Sequence, residues 1–206
     1  MRESHSTRKF QLLGGHLVLD FTNTIDNRGS DREVELIPDY RSLIAFLEQT
    51  QAISGEEARR LARLASQVPE SAEVIANEAQ WLRESLYKVL SAAVDGQPPP
   101  PADLAVVSRA CRQAGSKRDL IAGEREFHWR WVGDDESLQK PLWILAAAAG
   151  ELVTSKDLTK VGRCADPTCN WLFLDTTKSH TRRWCEMRVC GNRDKARRFY
   201  RKRQAQ

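Results

Sequence analysis

The feature that most constrains this 206-residue chain is a pair of cysteine pairs near its end. Cys164 and Cys169 are followed by fifteen intervening residues and then by Cys185 and Cys190. Four residues separate the members of each pair, and the loop between lets the pairs fold onto one another. Tetrahedral zinc requires this arrangement: each pair closes a tight turn and presents two thiolates, with Zn–S bonds of ~2.3 Å. Disulfides are rare in a reducing cytosol, a redox pair would be spaced C-x-x-C, and independent core cysteines would not repeat an equal gap. The spacing therefore predicts one structural Zn2+ held by Cys164, Cys169, Cys185 and Cys190. Four thiolates leave no open position for water, so the metal is expected to hold the fold rather than catalyse. A module this small draws much of its folding free energy from its metal. Asp166-Pro167 in the first gap favours a turn, and Trp171, Phe173 and Trp184 are expected to form an apolar shell around the sulfurs. Cys111 stands alone in a helical pattern and is expected to be a buried small hydrophobe.

Charge is distributed unevenly about that cluster. The net charge is +4, but residues 160–206 carry 13 Lys and Arg against 4 Asp and Glu, and residues 1–159 carry 19 against 24. An acidic body with a basic end points to a polyanionic partner. A helix starting at Gly191 or Asn192 gathers Ala196, Phe199 and Tyr200 into one arc. That stripe is expected to dock the helix on the zinc module, leaving Arg193, Lys195, Arg197, Arg198, Arg201 and Lys202 outward. Arg182, Arg183 and Arg188 extend the same surface from the loop and second knuckle. The expected partner is nucleic acid, double-stranded DNA ahead of RNA, with most contacts to phosphates. Arg193 and Arg197, one turn apart, are the candidates for base edges in a major groove. One finger reads few bases, so a homodimer is expected where sequence specificity matters. The alternative is a zinc-stabilised protein–protein interaction module that binds an acidic partner.

The preceding residues read as mainly helical. Leu17, Leu19 and Phe21 alternate after Gly14-Gly15 and predict a short strand, with Asp20 capping a helix through Thr22 to Asp26. Helices are predicted over residues 38–50, from Ser54 to about Gln67 through a Ser54/Glu57 capping box, and over residues 70–94. Four prolines at 98–101 form a stiff connector, followed by a helix from about Asp103 to Ala114. Phe127, Trp129 and Trp131 alternate in a strand expected to lie half buried on the core, and residues 138–154 return to helix. "DLTKVGR" reads as an extended lead into Cys164. The run from Pro141 is too short to span a bilayer and no signal peptide is legible, so no membrane partner is expected and the expected location is cytoplasmic. His5, His16, His128 and His180 are scattered without ligand or triad spacing, and no phosphate-binding glycine loop is present. The chain is not expected to be an enzyme.

Taken together, "RCADPTCNWLFLDTTKSHTRRWCEMRVCGNRDKARRFYRKR" resembles the CGNR zinc finger, whose tetrapeptide stands here as Cys190-Gly191-Asn192-Arg193. Phe173, Asp175, Arg183, Trp184, Met187 and Lys195 carry the likeness along with the cysteines. The stretch "GGHLVLDFTNT", Gly14 to Thr24, is similar to the opening of the ABATE domain of stress-induced transcription regulators. The resemblance implies a bacterial transcription regulator with a small-molecule-sensing front domain joined to a DNA-binding finger. The expected fold class is α+β: a mainly helical N-terminal domain with a small β-sheet (1–156), then a treble-clef- or ribbon-like zinc module ending in a basic helix (157–206). Asp20, Asn23, Thr24 and Arg28, polar groups at the predicted strand-to-helix junction, are the candidate ligand-binding residues. The competing reading is that Asp20 and Asn23 cap and turn the backbone there.

Overall fold

A computed structural model describes residues 10–133 and 137–204 of the chain. His5 and the rest of the segment before Phe10 lie outside the described residues. The first element corrects an expectation: residues Leu17–Thr22 form a helix, α1, and not an alternating strand. Val18, Leu19, Phe21 and Thr22 are fully enclosed, so there is no solvent face for a strand's alternation to mark. A short apolar run fits either period. His16 caps α1 by accepting the Val18 amide at 3.2 Å, while Asp20, expected as the cap, sits inside the helix and accepts the Gly14 amide at 2.7 Å. Gly14 has to be bare, because a Cβ there would stand 2.8 Å from the Asp20 amide nitrogen.

After α1 a minimal antiparallel ribbon joins β1 (Ile25–Asp26) to β2 (Val34–Glu35). The helices that follow begin where their caps are written. Asp39 accepts the Ser42 amide at 2.7 Å and opens α2 (Tyr40–Gln49), one residue past Pro38. Ser54 accepts the Glu57 amide at 3.1 Å and opens α3 (Gly55–Gln67), a cap worth ~1 kcal/mol. The Glu57 carboxylate does not return to Ser54 as a full capping box would; it pairs with Lys140 at 2.5 Å and Arg60 at 3.6 Å. Pro69 starts α4 (Pro69–Val94), where it gives up no hydrogen bond. The proline run ends in α5 (Pro101–Gly115), which turns back to pack against α4.

Next come β3 (Arg118–Ala122) and β4 (Phe127–Trp131), paired antiparallel with Leu120 opposite Trp129. Here burial departs from expectation. Phe127 is 73% exposed and Trp129 54%, and only Trp131 turns its ring towards the body, 6.2 Å from Trp143. α6 (Lys140–Thr154) runs through the middle of the helical layer, with Leu145, Ala149 and Leu152 enclosed. Cys111 is half-buried and donates its thiol to the Ala146 carbonyl at 3.3 Å. The first four residues of the expected extended lead, 157–160, lie in a 3-10 turn (Lys156–Lys160) opened by Ser155, and extension begins only at β5 (Val161–Arg163). β5 pairs with β6 (Leu172–Leu174), and the chain ends in a π-helical turn (Met187–Gly191) that runs into α7 (Asn192–Gln204).

The fold is therefore α+β, with three separate two-stranded ribbons among the described residues in place of one small sheet. The largest core draws on α1, α2, α4 and α6 and also includes Val161 and Leu172 of the β5–β6 hairpin. No helix among the described residues is long and apolar enough to cross a membrane.

Candidate metal centre and basic helix

The β5–β6 hairpin places the first cysteine pair. Cys164 follows β5 directly and Cys169 precedes β6, with the Cys164 amide donating to the Trp171 carbonyl at 2.8 Å and the Cys169 amide to the Asp166 carbonyl at 2.9 Å. Cys185 lies in the loop and Cys190 in the π-helical turn, where the Cys190 and Gly191 amides both donate to the Glu186 carbonyl. A hairpin knuckle thus faces a helix start, the treble-clef form of the two modules expected.

All four sulfurs lie within 4.8 Å of one another and all four cysteines are buried. Cys169 and Cys185 stand 3.6 Å apart, Cys185 and Cys190 3.7 Å. Bonds of ~2.3 Å at tetrahedral angles put neighbouring sulfurs ~3.8 Å apart, so the cluster is sized for one zinc ion and too open for disulfides. The four thiols act on one another in opposite directions: hydrogen bonds from Cys169, Cys185 and Cys190 hold Cys164 well below the usual thiol range, while the bond to Cys164 pushes Cys169 and Cys185 above it. Trp171 and Phe173 are buried against the sulfurs and Trp184 is partly so, giving the expected apolar shell.

α7 does not dock as its apolar stripe suggested. Phe199 is 58% exposed and Tyr200 63%, Ala196 is also exposed, and no residue of α7 is buried. The helix is held by charge at its first two turns. Arg197 reaches the fully buried Asp166 carboxylate at 2.9 Å, and Arg193 approaches it at 3.3 Å while donating to the Thr168 hydroxyl at 3.0 Å. Burial alone would raise the Asp166 carboxyl, but the Thr168 amide and the two guanidiniums bring it below the usual carboxylate range. Sequence reasoning noticed Asp166 only as a turn former. Its place in the knuckle and the two arginines a turn apart were the available signal.

The proposed phosphate-facing residues divide in the structure. Arg183, Arg188, Lys195, Arg198, Arg201 and Lys202 are exposed, Arg198 with an exposed ion pair to Asp194 at 2.9 Å. Arg193 and Arg197 turn to Asp166. Arg182 turns inward: its guanidinium lies over the Phe173 ring at 4.4 Å and donates to the Trp184 carbonyl at 3.0 Å and to that of Cys185.

The four candidate ligand-binding residues are brought together, but with internal partners. Asn23 pairs with the backbone of Leu172 in both directions, Nδ2 to the carbonyl at 2.8 Å and the amide to Oδ1 at 2.9 Å. Thr24 donates to the Phe21 carbonyl and accepts from Arg83 at 3.0 Å. Arg28 forms a bidentate pair with Glu84 at 2.7 and 3.0 Å and lies 4.0 Å over the Tyr87 ring. Asp20 is pushed up to about 6 by burial, against the Gly14 and Leu13 amides. Of these four side chains Asn23 latches the body to the zinc hairpin, while those of Asp20, Thr24 and Arg28 bind within the body.

Other latch contacts escaped the sequence altogether. Trp171 donates its indole N–H to the Ile25 carbonyl at 2.8 Å, and Tyr87 its hydroxyl to the Asn170 carbonyl at 3.0 Å. The Asn170 amide reaches the Arg28 carbonyl at 2.9 Å. That reach needs Gly29, whose φ is +85° and where a Cβ would stand 2.6 Å from Asn170 Nδ2. Within the body, Arg83, nearly sealed from water, binds Glu35 through two nitrogens at 2.7 and 2.6 Å. His16, His128 and His180 lie on separate elements and converge on nothing.

A helical body clasps a hairpin whose two cysteines meet two more ahead of a basic helix, the build of a helical domain with an appended zinc finger. The comparison with family models agrees in both halves: ABATE, described as a putative stress-induced transcription regulator, matches residues 15–156, and the CGNR zinc finger matches residues 160–203. The chain belongs to the ABATE family and carries a CGNR zinc finger. No curated protein matches the chain.

Proposed function

We propose that the chain is a transcription regulator whose finger binds double-stranded DNA, with the division into sensing and binding units near residue 157. The observation that carries this reading is the exposed basic face of α7 and its approaches, six cations with only Glu186 and Asp194 as carboxylates among them. Arg183, Arg188, Lys195, Arg198, Arg201 and Lys202 contact phosphates, and zinc on Cys164, Cys169, Cys185 and Cys190 fixes the knuckles that aim them. Arg193 and Arg197 read base edges only by leaving Asp166; while they stay, they set the angle of the helix. The room for a small-molecule effector is a groove of about 290 Å³ between α4, α5 and α6, lined by Trp81, Leu82, Val106, Arg109, Leu142 and Trp143. The cytoplasm is where such a protein meets DNA.

Anisotropy titrations with random duplex and single-stranded oligonucleotides test the reading. Six phosphate contacts give a log–log salt slope of about −5 on duplex. Arg198→Glu with Arg201→Glu lowers affinity at least ~10-fold at low salt while zinc content stays at one per chain. No binding of either oligonucleotide below roughly 100 µM at low salt overturns the proposal and leaves an acidic protein as the partner.

A further inference from the structure

α7 leaves two aromatic rings in water among its cations. Phe199 and Tyr200 are both more than half exposed. Their centroids stand 5.8 Å apart with the ring planes at 75°, so the pair forms an open corner. At ~100° per residue, Ala196, Phe199 and Arg203 share one strip of the helix, and Tyr200 borders it. Lys195 and Lys202 flank the strip beside Phe199. Arg193 and Arg197, held on Asp166, flank it beside Tyr200. The Arg203 guanidinium lies 5.8 Å from the Phe199 centroid and adds a flat cation to the aromatic surface.

The charge around the corner limits what can cover it. α7 carries seven cations and one carboxylate, Asp194, which Arg198 already engages at 2.9 Å. A second copy of the helix laid on the strip would set cation against cation. An apolar protein face would have to bury Lys195, Lys202 and Arg203 without partners. A polyphosphate satisfies the cations, but a fully paired duplex offers a helix in its grooves only base edges, with no ring face to stack on. Bases outside their pairs do offer that face, and each one stacked on an aromatic side chain strengthens binding by roughly 5- to 150-fold.

We propose that Phe199 and Tyr200 stack on an unpaired base, so that the finger prefers DNA in which duplex adjoins an open stretch. The flanking cations hold the phosphates of that strand, and the corner takes one base, its face on one ring and its edge against the other. This inference rests on the nucleic-acid reading of α7 and narrows it from duplex in general to duplex with unpaired bases.

Anisotropy titration of the full zinc-loaded chain tests it with three probes: a blunt duplex, the same duplex with a tail of about ten thymidines, and the same duplex with an abasic tail of equal phosphate count. The two tails differ only in their bases. The thymidine tail should bind at least ~5-fold tighter than the abasic one. Phe199→Ala with Tyr200→Ala should bring the two tails within ~2-fold of each other while shifting blunt-duplex affinity by less than ~2-fold, with zinc content and circular dichroism unchanged. Phe199→Trp with Tyr200→Trp should keep the preference. A 2-aminopurine placed in the tail should be quenched by the wild-type chain and not by the double alanine variant. Equal affinity for the two tails overturns this proposal and leaves the phosphate contacts standing. A double alanine variant that keeps the full preference also overturns it. Absence of binding to all three probes overturns it together with the reading on which it rests.

Discussion

Asn23→Ala is the substitution expected to do the most damage for the atoms it removes. The Asn23 amide is 2% exposed and satisfies both backbone groups of Leu172, which is fully buried on the far side of the latch. Truncation strands one N–H and one C=O where water has little access, each at ~1–3 kcal/mol. Partial entry of water softens that to about 3 kcal/mol in total, a large share of the ~5–15 kcal/mol that holds a domain folded. For a chain of this length each kcal/mol moves the melting temperature by ~2–4 °C, so calorimetry of the zinc-loaded variant should show a fall of roughly 6–12 °C. Amide exchange at Leu172 should lose protection, while exchange at Leu61 in α3 falls only as far as global stability does. Asn23→Asp separates the two bonds: it keeps an acceptor for the Leu172 amide but faces the carbonyl with a carboxylate, and should be at least as harmful. A loss below ~0.5 kcal/mol in Asn23→Ala would refute the idea that this side chain couples body and hairpin.

Other expectations follow from the same geometry. Chelating the metal should expose four thiols to a disulfide reagent and broaden amide resonances of residues 161–191, while Cys111 reacts at an unchanged rate. Because burial raises Asp20 from 3.8 to about 6, the folded chain binds the extra proton between those values and stability falls as pH rises through that window. Asp20→Asn should therefore stabilise the chain at pH 7.5 by on the order of 2–3 kcal/mol, and little at pH 4, as read from urea melts. Asp166→Asn should loosen α7, seen as faster tryptic cleavage at Arg197 and Arg198, with zinc stoichiometry retained.

Elements that advertise themselves locally were legible in the sequence. Ser54 three residues before Glu57, Pro69 at a helix start and two equal cysteine gaps each state a local geometry that the tertiary structure then keeps. Three features were not legible, for one physical reason: periodicity reports which residues share a face, and tertiary contacts decide what that face meets. Leu17, Leu19 and Phe21 belong to a run enclosed on every side, where a period of 2 and one of 3.6 cannot be told apart. Phe127 and Trp129 alternate as predicted, yet point to water. Ala196, Phe199 and Tyr200 form a genuine stripe, but Asp166, thirty residues earlier, captures the helix by its arginines. Asn23, read from the sequence either as a ligand contact or as a local cap, meets a backbone 149 residues away, which no local pattern encodes.

The anchoring of α7 has a mechanical consequence. Clamped at Arg193 and Arg197 and clear of the body beyond, the helix is a cantilever: its root is set by the metal, and its tip, from Arg198 to Gln204, is steered by whatever charge lies in front of it. Small tilts at the root become displacements of several ångströms at the tip, since each residue adds ~1.5 Å of arm. A neutral side chain at Asp166 would leave the cations in place and blur where they point.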